Sequence, residues 1–441
     1  MSREGRLAQE FRGGAIPQRA QARVERVALV SVHTCPLDQP GIGDSGGMNV
    51  YVRSVARRLA EMGVDVDIFT RAAGPEQHVV DVDPGVRVVH LEAGPDAPVD
   101  KEELPRYLGA FLTAMVRFES QEAERIGRPS PVYGVVHSHY WLSGAIGRLA
   151  KERWRVPLAH SFHTLGAVKN MNLADGDSPE PAQRLNGEHR IVQAADCILA
   201  PTVGEAADLV NLYGADASRV RVVAPGVDTD VFTSGDREEA KAALGLDGRI
   251  VVLFVGRLQP LKQPDVAVRA IARLAETHPD LAGRLTLVVL GGPSGRGGVQ
   301  PEAIAKLAAE LGVADLVRLE GTVPHDAIPA FYRAADVTLI TSRSESFGLV
   351  AIESSACGTP VVASDVGGLR VAVRDGVTGL LVPSSAPEAF ADGLARVLGD
   401  PTLSVAMGSA GAHFARRFDW RRASIDLLAI YEDLVQAETG G

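Results

Sequence analysis

Two glutamates stand eight residues apart in the stretch Ser344 to Glu353, SESFGLVAIE, on either side of a Phe-Gly turn and an apolar run. The first reads as a loop residue and the second as part of the helix that follows, so one segment offers two carboxylates to one polar ligand. A carboxylate accepts two hydrogen bonds from a vicinal diol such as a ribose or a sugar ring. The glycine in the turn lets the backbone approach that ligand, and the N-terminus of the new helix favours a phosphate nearby. The plainer alternative is a strand-to-helix junction with a solvated Glu at each end. A second cluster bears on the choice. Ile250 to Val255, IVVLFV, reads as a buried parallel strand, and Gly256-Arg257-Leu258 and then Lys262 follow it. In open α/β sheets, ligands bind at the carboxyl ends of strands. Two cations there suit a diphosphate, which needs its charge neutralised as a leaving group. Ion pairs or a solvated loop are the competing reading. Two cations and two carboxylates, each after a strand in the same half of the chain, point to a nucleotide-sugar site.

Such a site needs a rigid frame. At 441 residues the chain is long enough for two domains with full cores. Strand-like runs alternate with helical patterns throughout, which calls for α/β architecture with doubly wound parallel sheets. In the first half the strands are expected at Val27 to Val32, Asp65 to Thr70, Val86 to Leu91, Val135 to His139, Leu158 to Phe162 and Cys197 to Ala200. Helices are expected over Val50 to Met62 and Gln183 to Ala195. Pro225-Gly226-Val227-Asp228 is turn-rich and reads as the interdomain connection. The second half repeats the layout, with strands near 250–255, 285–290, 316–320, 337–341, 360–363 and 379–382. This divides the chain into a tail over 1–23, a first domain over 24–224, a second over 225–420, and a terminal segment over 421–441. The last helical stretch, near Ala423 to Ala437, has no strand after it and is free to pack back toward the first domain.

Bulk properties narrow the class. A net charge of -10 argues against a general nucleic-acid or anionic-membrane binder. No apolar run approaches the ~20 residues a membrane helix needs. Residues 1 to 23 are polar and Arg-rich without the apolar core of a secretory signal, so a disordered tail is expected. Cys35, Cys197 and Cys357 are far apart and show no metal-ligand spacing, which fits a reduced, cytoplasmic protein.

The first domain carries chemistry of its own. Gly46-Gly47 before a helical pattern makes a phosphate-friendly loop of bare backbone donors at a positive helix end. Met48 and Asn49 sit at its mouth, where Asn49 can donate and accept for a polyol. A helix-capping glycine turn is the plain reading of the same residues. His163 follows the strand from Leu158 and points from a strand end toward the cleft; a structural histidine fits that position too.

Further motifs connect these features. PGVD at 225–228, GRLQPLKQP from Gly256, the Glu345-to-Glu353 segment, Gly358-Thr359-Pro360-Val361-Val362 and Gly367-Gly368-Leu369 resemble the retaining GT-B glycosyltransferases that use nucleotide-activated sugars. The likeness covers nearly the whole chain beyond the tail. His33-Thr34-Cys35-Pro36, GDSGGMNVY from Gly43, HSHYWLSG from His137, His163-Thr164-Leu165 and Val168-Lys169-Asn170 are similar to the D-inositol-3-phosphate glycosyltransferase family of mycothiol biosynthesis. The resemblance implies a GT-B fold, two Rossmann-like domains facing a central cleft. It implies transfer of N-acetylglucosamine from UDP-N-acetylglucosamine to 1D-myo-inositol 3-phosphate with retention.

It also implies site residues. His163, Arg257, Lys262 and Glu345 would be catalytic, with Gln39, Pro40, Gly47, Val323 and Glu353 also contacting the donor. His33, Asp44, Ser45, Gly46, Gly47, Met48, Asn49, Lys101, Tyr140, Thr164 and Arg184 would contact the acceptor. Composition alone makes Lys101 a solvated lysine and Arg184 a surface-helix residue; the resemblance makes both phosphate ligands. A Lys, an Arg and the hydroxyls of Thr164 and Tyr140 are a sensible set for a phosphomonoester. The family's equivalent of His163 contacts the transferred sugar. Retention with no obvious carboxylate nucleophile favours a front-side mechanism, in which the leaving diphosphate takes the acceptor proton. The resemblance implies no organic cofactor. It leaves room for a homodimer and for a magnesium ion (Mg2+) on backbone oxygens at Tyr332, Arg333, Ala335 and Thr359, a site that hard-cation chemistry would not suggest. Leu369-Arg370 departs from the family's Leu-Pro pair. Competing readings are a transferase acting on a lipid inositol phosphate or making sucrose phosphate, a nucleotide-sugar epimerase, and a silent binding protein. A lipid acceptor calls for a basic amphipathic helix, and the helix with Arg53, Arg57 and Arg58 is short in an acidic chain. An epimerase needs no second phosphate clamp.

Overall fold

The computed structural model describes residues 23–74, 78–173, 178–294 and 298–439, so the tail expected over 1–23 lies, but for Arg23, outside the described residues. Eight strands form the first sheet: β1 (Arg26–Val30), β2 (Asp65–Arg71), β3 (Val79–Asp83), β4 (Val86–Leu91), β5 (Val135–His139), β6 (Leu158–Ser161), β7 (Cys197–Ala200) and β8 (Val220–Val222). Their order is β3-β4-β2-β1-β5-β6-β7-β8, parallel except for the β3-β4 hairpin. Six strands form the second: β9 (Ile250–Val255), β10 (Leu285–Leu290), β11 (Val317–Gly321), β12 (Val337–Ile340), β13 (Val361–Ser364) and β14 (Gly379–Val382), in the order β11-β10-β9-β12-β13-β14. Both orders reverse beside the first strand of the sheet. Ala28 of β1 faces Asp67 on one side and Val136 on the other, and Leu253 of β9 faces Val288 and Thr338. Crossovers leave in opposite directions at that point, so a crevice opens at the carboxyl ends of β1/β5 and β9/β12.

The strands are apolar on both faces because helices cover both. One face of the first sheet buries Val27, Leu29, Val66, Ile68 and Val135, and the other buries Ala28, Val30, Phe69 and Val136. Each of these Val, Leu, Ile and Phe side chains contributes about 1.5–3 kcal/mol when buried. Seven helices concern the site: α1 (Gly47–Glu61), α2 (Tyr140–Trp154), α3 (Ala182–Ala194), α4 (Val203–Tyr213), α5 (Pro264–Thr277), α6 (Leu349–Ala356) and α7 (Trp420–Thr439). α1 starts three residues before the sequence pattern suggests, because Gly46 is its N-cap and the Asn49 side chain reaches back to the Gly46 amide at 3.1 Å. β3 carries little strand signal in its sequence: VVDVD is half-exposed and acidic, and acidic residues are depleted in strands.

α7 returns to the first domain. Trp420, Ala423, Leu427 and Tyr431 are buried in its core, and Tyr431 Oη meets His137 Nδ1 at 2.6 Å. Two chain crossings therefore lie side by side: the Val227 amide donates to Phe418 O at 2.8 Å, and Val227 bridges Asp419. Gly226 is required there, since a Cβ would collide with the backbone nitrogen of Trp420.

Candidate active site

The second domain supplies the cations. β9 ends at Gly256, with φ 156°, and Gly291 crosses it so closely that a Cβ on Gly291 would collide with the Gly256 carbonyl. Arg257 leaves this strand end, donating from Nη1 to Ser294 Oγ at 3.2 Å and reaching Asp44 of the first domain, whose carbonyl lies at 3.5 Å and whose Oδ1 lies at 4.0 Å. Burial lowers the Arg257 pKa and Asp44 opposes that; a guanidinium stays cationic regardless. Lys262, in the short turn before α5, forms an ion pair with Glu345 Oε2.

The loop bearing Glu345 is braced from behind. The Gly368 amide donates to Glu345 O at 2.7 Å, and a side chain at Gly367 or Gly368 would collide with the backbone of Glu345 or of Ser346 and Phe347. That is what the Gly367-Gly368-Leu369 motif does locally. Glu353, on α6, is buried; its Oε2 accepts from Tyr332 Oη at 2.8 Å, and its Oε1 lies 3.6 Å from His325 Nε2. Despite burial, which lowers it, the His325 pKa is raised by this carboxylate.

The first domain faces this cluster. Gly46 and Gly47 approach it most closely: a Cβ would stand 3.4 Å from Arg257 Nε and 3.3 Å from Leu349 Cδ1, respectively. Lys101 donates to Asp44 Oδ1 at 3.1 Å, so one carboxylate meets a cation from each domain. Tyr140 begins α2 with φ 73°, a strained value for a non-glycine, and packs against His33 with ring centroids 4.4 Å apart and planes tilted by 37°. Arg184 lies over the Tyr140 ring at 5.0 Å and donates to Thr164 O at 2.9 Å and Oγ1 at 3.0 Å. It is not a surface residue: at 3 % exposure it also pairs with Glu188 (0 %) and Glu180. Lys169 pairs with Glu180 beside it.

His163 also has positive φ, 60°, at the end of β6. Its Nε2 lies 3.0 Å from His139 Nδ1, and Tyr51 packs edge-on. Burial pushes its pKa down to about 3, so the imidazole is neutral at pH 7. The second domain holds this strand end directly, because Ser346 Oγ donates to His163 O at 2.6 Å.

One cleft of about 1590 Å³, large for a single small ligand, lies between the two domains' clusters. The residues expected to act converge on it, namely His33, Pro40, Asp44, Gly46, Gly47, Met48, Lys101, Tyr140, His163, Thr164, Arg184, Arg257, Lys262, Val323, Glu345 and Glu353. Gln39, Ser45 and Asn49 lie outside its wall. Pro40 rather than Gln39 turns to the cleft, and the Ser45 hydroxyl meets Thr34 Oγ1 at 2.9 Å. Asn49, expected to meet a polyol, is buried: Nδ2 donates to Thr34 Oγ1 and Cys35 O, and Oδ1 accepts from Gly46. It braces the loop instead. Lys169, Glu180, Glu205 and Ser346 also line the cleft; Lys169 and Ser346 stood within quoted motifs, Glu180 and Glu205 did not.

Tyr332, Arg333, Ala335 and Thr359, expected around magnesium, lie outside the cleft wall as well. The Tyr332 carbonyl already accepts from Thr359 Oγ1 at 2.6 Å and from the Ala335 amide at 3.2 Å, and the Thr359 carbonyl accepts from Ser354 Oγ at 3.0 Å. Among the described residues, no three His, Cys, Asp or Glu side chains gather as a metal site. A cation would have to compete with those internal donors.

Residues 236–414 match the family described as Glycosyl transferases group 1, and residues 46–226 match the Glycosyl transferase 4-like domain. A protein of Kribbella flavida named D-inositol 3-phosphate glycosyltransferase is 51% identical over 417 residues, covering 94% of this chain and 97% of that protein. One of the same name in Thermobifida fusca is 52% identical over 410 residues, covering 92% and 93%. The solved structure of sucrose-phosphate synthase from Thermosynechococcus elongatus superposes with a TM-score of 0.85 at 32% identity, covering 94% of this chain and all of that one. With two facing parallel-sheet domains, the fold is GT-B.

Proposed function

Because the chain belongs to the D-inositol 3-phosphate glycosyltransferases, among the group 1 glycosyl transferases, we propose that it transfers N-acetylglucosamine from UDP-N-acetylglucosamine to 1D-myo-inositol 3-phosphate with retention, opening mycothiol biosynthesis. The observation that carries this reading is the meeting of Lys101 and Arg257 on Asp44. A cation suited to an acceptor phosphate and one suited to a donor diphosphate thus share one carboxylate across the cleft.

In this reading Arg257 and Lys262 neutralise the diphosphate as it leaves, and Glu353 accepts hydrogen bonds from the ribose hydroxyls. Glu345 and His163 hold the transferred sugar. An imidazole with its pKa near 3 is a weak base, so the departing diphosphate takes the proton from the acceptor hydroxyl on the same face of the sugar. Lys101, Tyr140, Thr164 and Arg184 fix the acceptor through its phosphate, and the rate gain comes from position and charge stabilisation.

The test is incubation with UDP-N-acetylglucosamine and a panel comprising inositol 3-phosphate, free inositol, sucrose precursors and phosphatidylinositol, with mass detection of product. Free inositol is expected to fail, because it leaves the phosphate-binding cations unmatched. Free inositol reacting as well as its 3-phosphate would overturn the acceptor assignment.

A further inference from the structure

Arg184 can reach a phosphate only with a donor that its neighbours have not already taken. Its Nε donates to Glu188 Oε1 at 2.8 Å, and its Nη2 donates to both the carbonyl and the hydroxyl oxygen of Thr164. Glu188 does not give way, since it is fully buried and also accepts from Tyr213 Oη and the Gly166 amide. Nη1 is the arm left, and Glu180 Oε2 covers it at 2.9 Å. The other oxygen of that carboxylate, Oε1, pairs with Lys169 on the short helix Gly166–Met171. All three side chains line the cleft, as do Lys101, Tyr140 and Thr164.

Glu180 sits among the groups that an acceptor phosphate would meet. Burial lowers the Lys169 pKa, Glu180 opposes that, and Arg184 and Lys101 push it further down, so three cations crowd one place. A carboxylate with one oxygen on a guanidinium and the other on an ammonium copies one edge of a phosphate bound there. Each cation already has its own carboxylate: Lys101 has Asp44, Arg184 has Glu188 and Lys169 has Glu180. A phosphate that binds Arg184 through Nη1 competes with Glu180 for it. Of the two acids on Arg184, Glu180 is the one free to yield. It lies outside any helix or strand, with its amide tied to Asn170 Oδ1 at 2.7 Å and its side chain held by the two cations.

We propose that Glu180 is a resident anion in the acceptor-phosphate seat, and that Lys169 joins Arg184 as a phosphate ligand once the acceptor displaces it. This rests on the acceptor being a phosphomonoester. Such a group brings nearly two negative charges at neutral pH and three acceptor oxygens, against one charge and two oxygens for the carboxylate. The exchange therefore favours the phosphate, and an uncharged polyol has nothing to drive it. Between turnovers the seat keeps its cations neutralised.

Calorimetry at about pH 7.5 with inorganic phosphate and with inositol 3-phosphate compares the wild-type protein and Glu180→Gln. Gln keeps the shape and removes the competing charge. Both ligands should bind the variant about tenfold more tightly, the scale of one charge-assisted hydrogen bond no longer broken, with UDP affinity unchanged. Equal or weaker phosphate binding in Glu180→Gln overturns the proposal, because a carboxylate that stays to hold acceptor hydroxyls would be missed. Should Glu180→Gln not fold, Glu180→Asp, which withdraws the charge by one methylene, decides by the same sign. Lys169 is tested in the Glu180→Gln background, where no carboxylate competes for it. Adding Lys169→Met there should cost about tenfold in phosphate affinity, and no loss refutes Lys169 as a ligand. Failure of the acceptor reading looks different: inorganic phosphate gains affinity in Glu180→Gln while inositol 3-phosphate binds neither protein, which leaves the resident anion standing.

Discussion

Replacing Lys262 by Ala separates binding the diphosphate from holding the fold. The ammonium pairs with Glu345 Oε2, and Ser342 Oγ donates to the same oxygen at 3.4 Å. Both partners of the pair are about one-fifth exposed, at 21% and 20%, and an ion pair that wet contributes only about 0–1 kcal/mol to folding. The melting temperature should therefore scarcely move. In the proposed reaction the same ammonium would face the leaving diphosphate, where a charge-assisted hydrogen bond contributes about 1.5–3 kcal/mol. Its loss should cut turnover roughly 10- to 150-fold, and the freed Glu345 carboxylate adds repulsion. The assay is UDP release at saturating donor and acceptor, with thermal unfolding measured on the same preparations. Turnover within twofold of wild type refutes the role, as would a melting point low enough to unfold the variant during the assay. Adding Glu345→Gln should return part of the lost rate if the freed carboxylate matters.

Lys101→Ala is the cleaner probe of the acceptor side: its KM for inositol 3-phosphate should rise about tenfold, near 1.4 kcal/mol, with UDP affinity unchanged, and an unchanged acceptor KM would remove Lys101 from the pocket. Arg184→Ala should also raise that KM, but it leaves the fully buried Glu188 unpaired, at a cost of about 3–5 kcal/mol, so a variant that melts like wild type would show that Glu188 does not need it. Burial holds His160 and His163 at about 3 and His137 and His139 well below the usual value. The unfolded chain takes up these protons below about pH 6.5 and the folded one does not, so stability should fall by about 1.4 kcal/mol per pH unit for each histidine as pH drops. A melting temperature constant from pH 7 to 5 would contradict that. Chelating divalent ions should leave turnover within twofold, whereas a tenfold loss restored by magnesium would give a metal the work here assigned to Arg257 and Lys262.

The second domain was the more legible in sequence, because IVVLFV and its successors are continuous apolar runs that only a doubly covered parallel strand explains. Arg257, Lys262, Glu345 and Glu353 follow such strands directly, so placing the strands placed them. The first domain hides more. Nothing local separates an Asn that binds a polyol from one that braces a loop; Asn49 is fixed by Thr34 and Cys35, fourteen or more residues away. Arg184 reads as solvated because Thr164 and Tyr140 reach it only through tertiary packing. Glu205 follows Thr202 at the spacing of a capping box, and its place in the cleft wall appears only in three dimensions.

The return of α7 has a consequence for biosynthesis. The second domain is contiguous in sequence, whereas the first is built from two lengths of chain on either side of it. A ribosome delivers Trp420, Leu427 and Tyr431 only after the entire second domain has emerged, and until then the core cluster of Val27, Leu29, Val52 and Val55 lacks the side chains that complete it. Domains fold as they are completed, so the nascent chain owns a folded second domain before the first is finished. A ribosome-arrested chain ending before Trp420 should pair a protease-resistant second domain with a sensitive first, and chaperone demand should fall on that incomplete core.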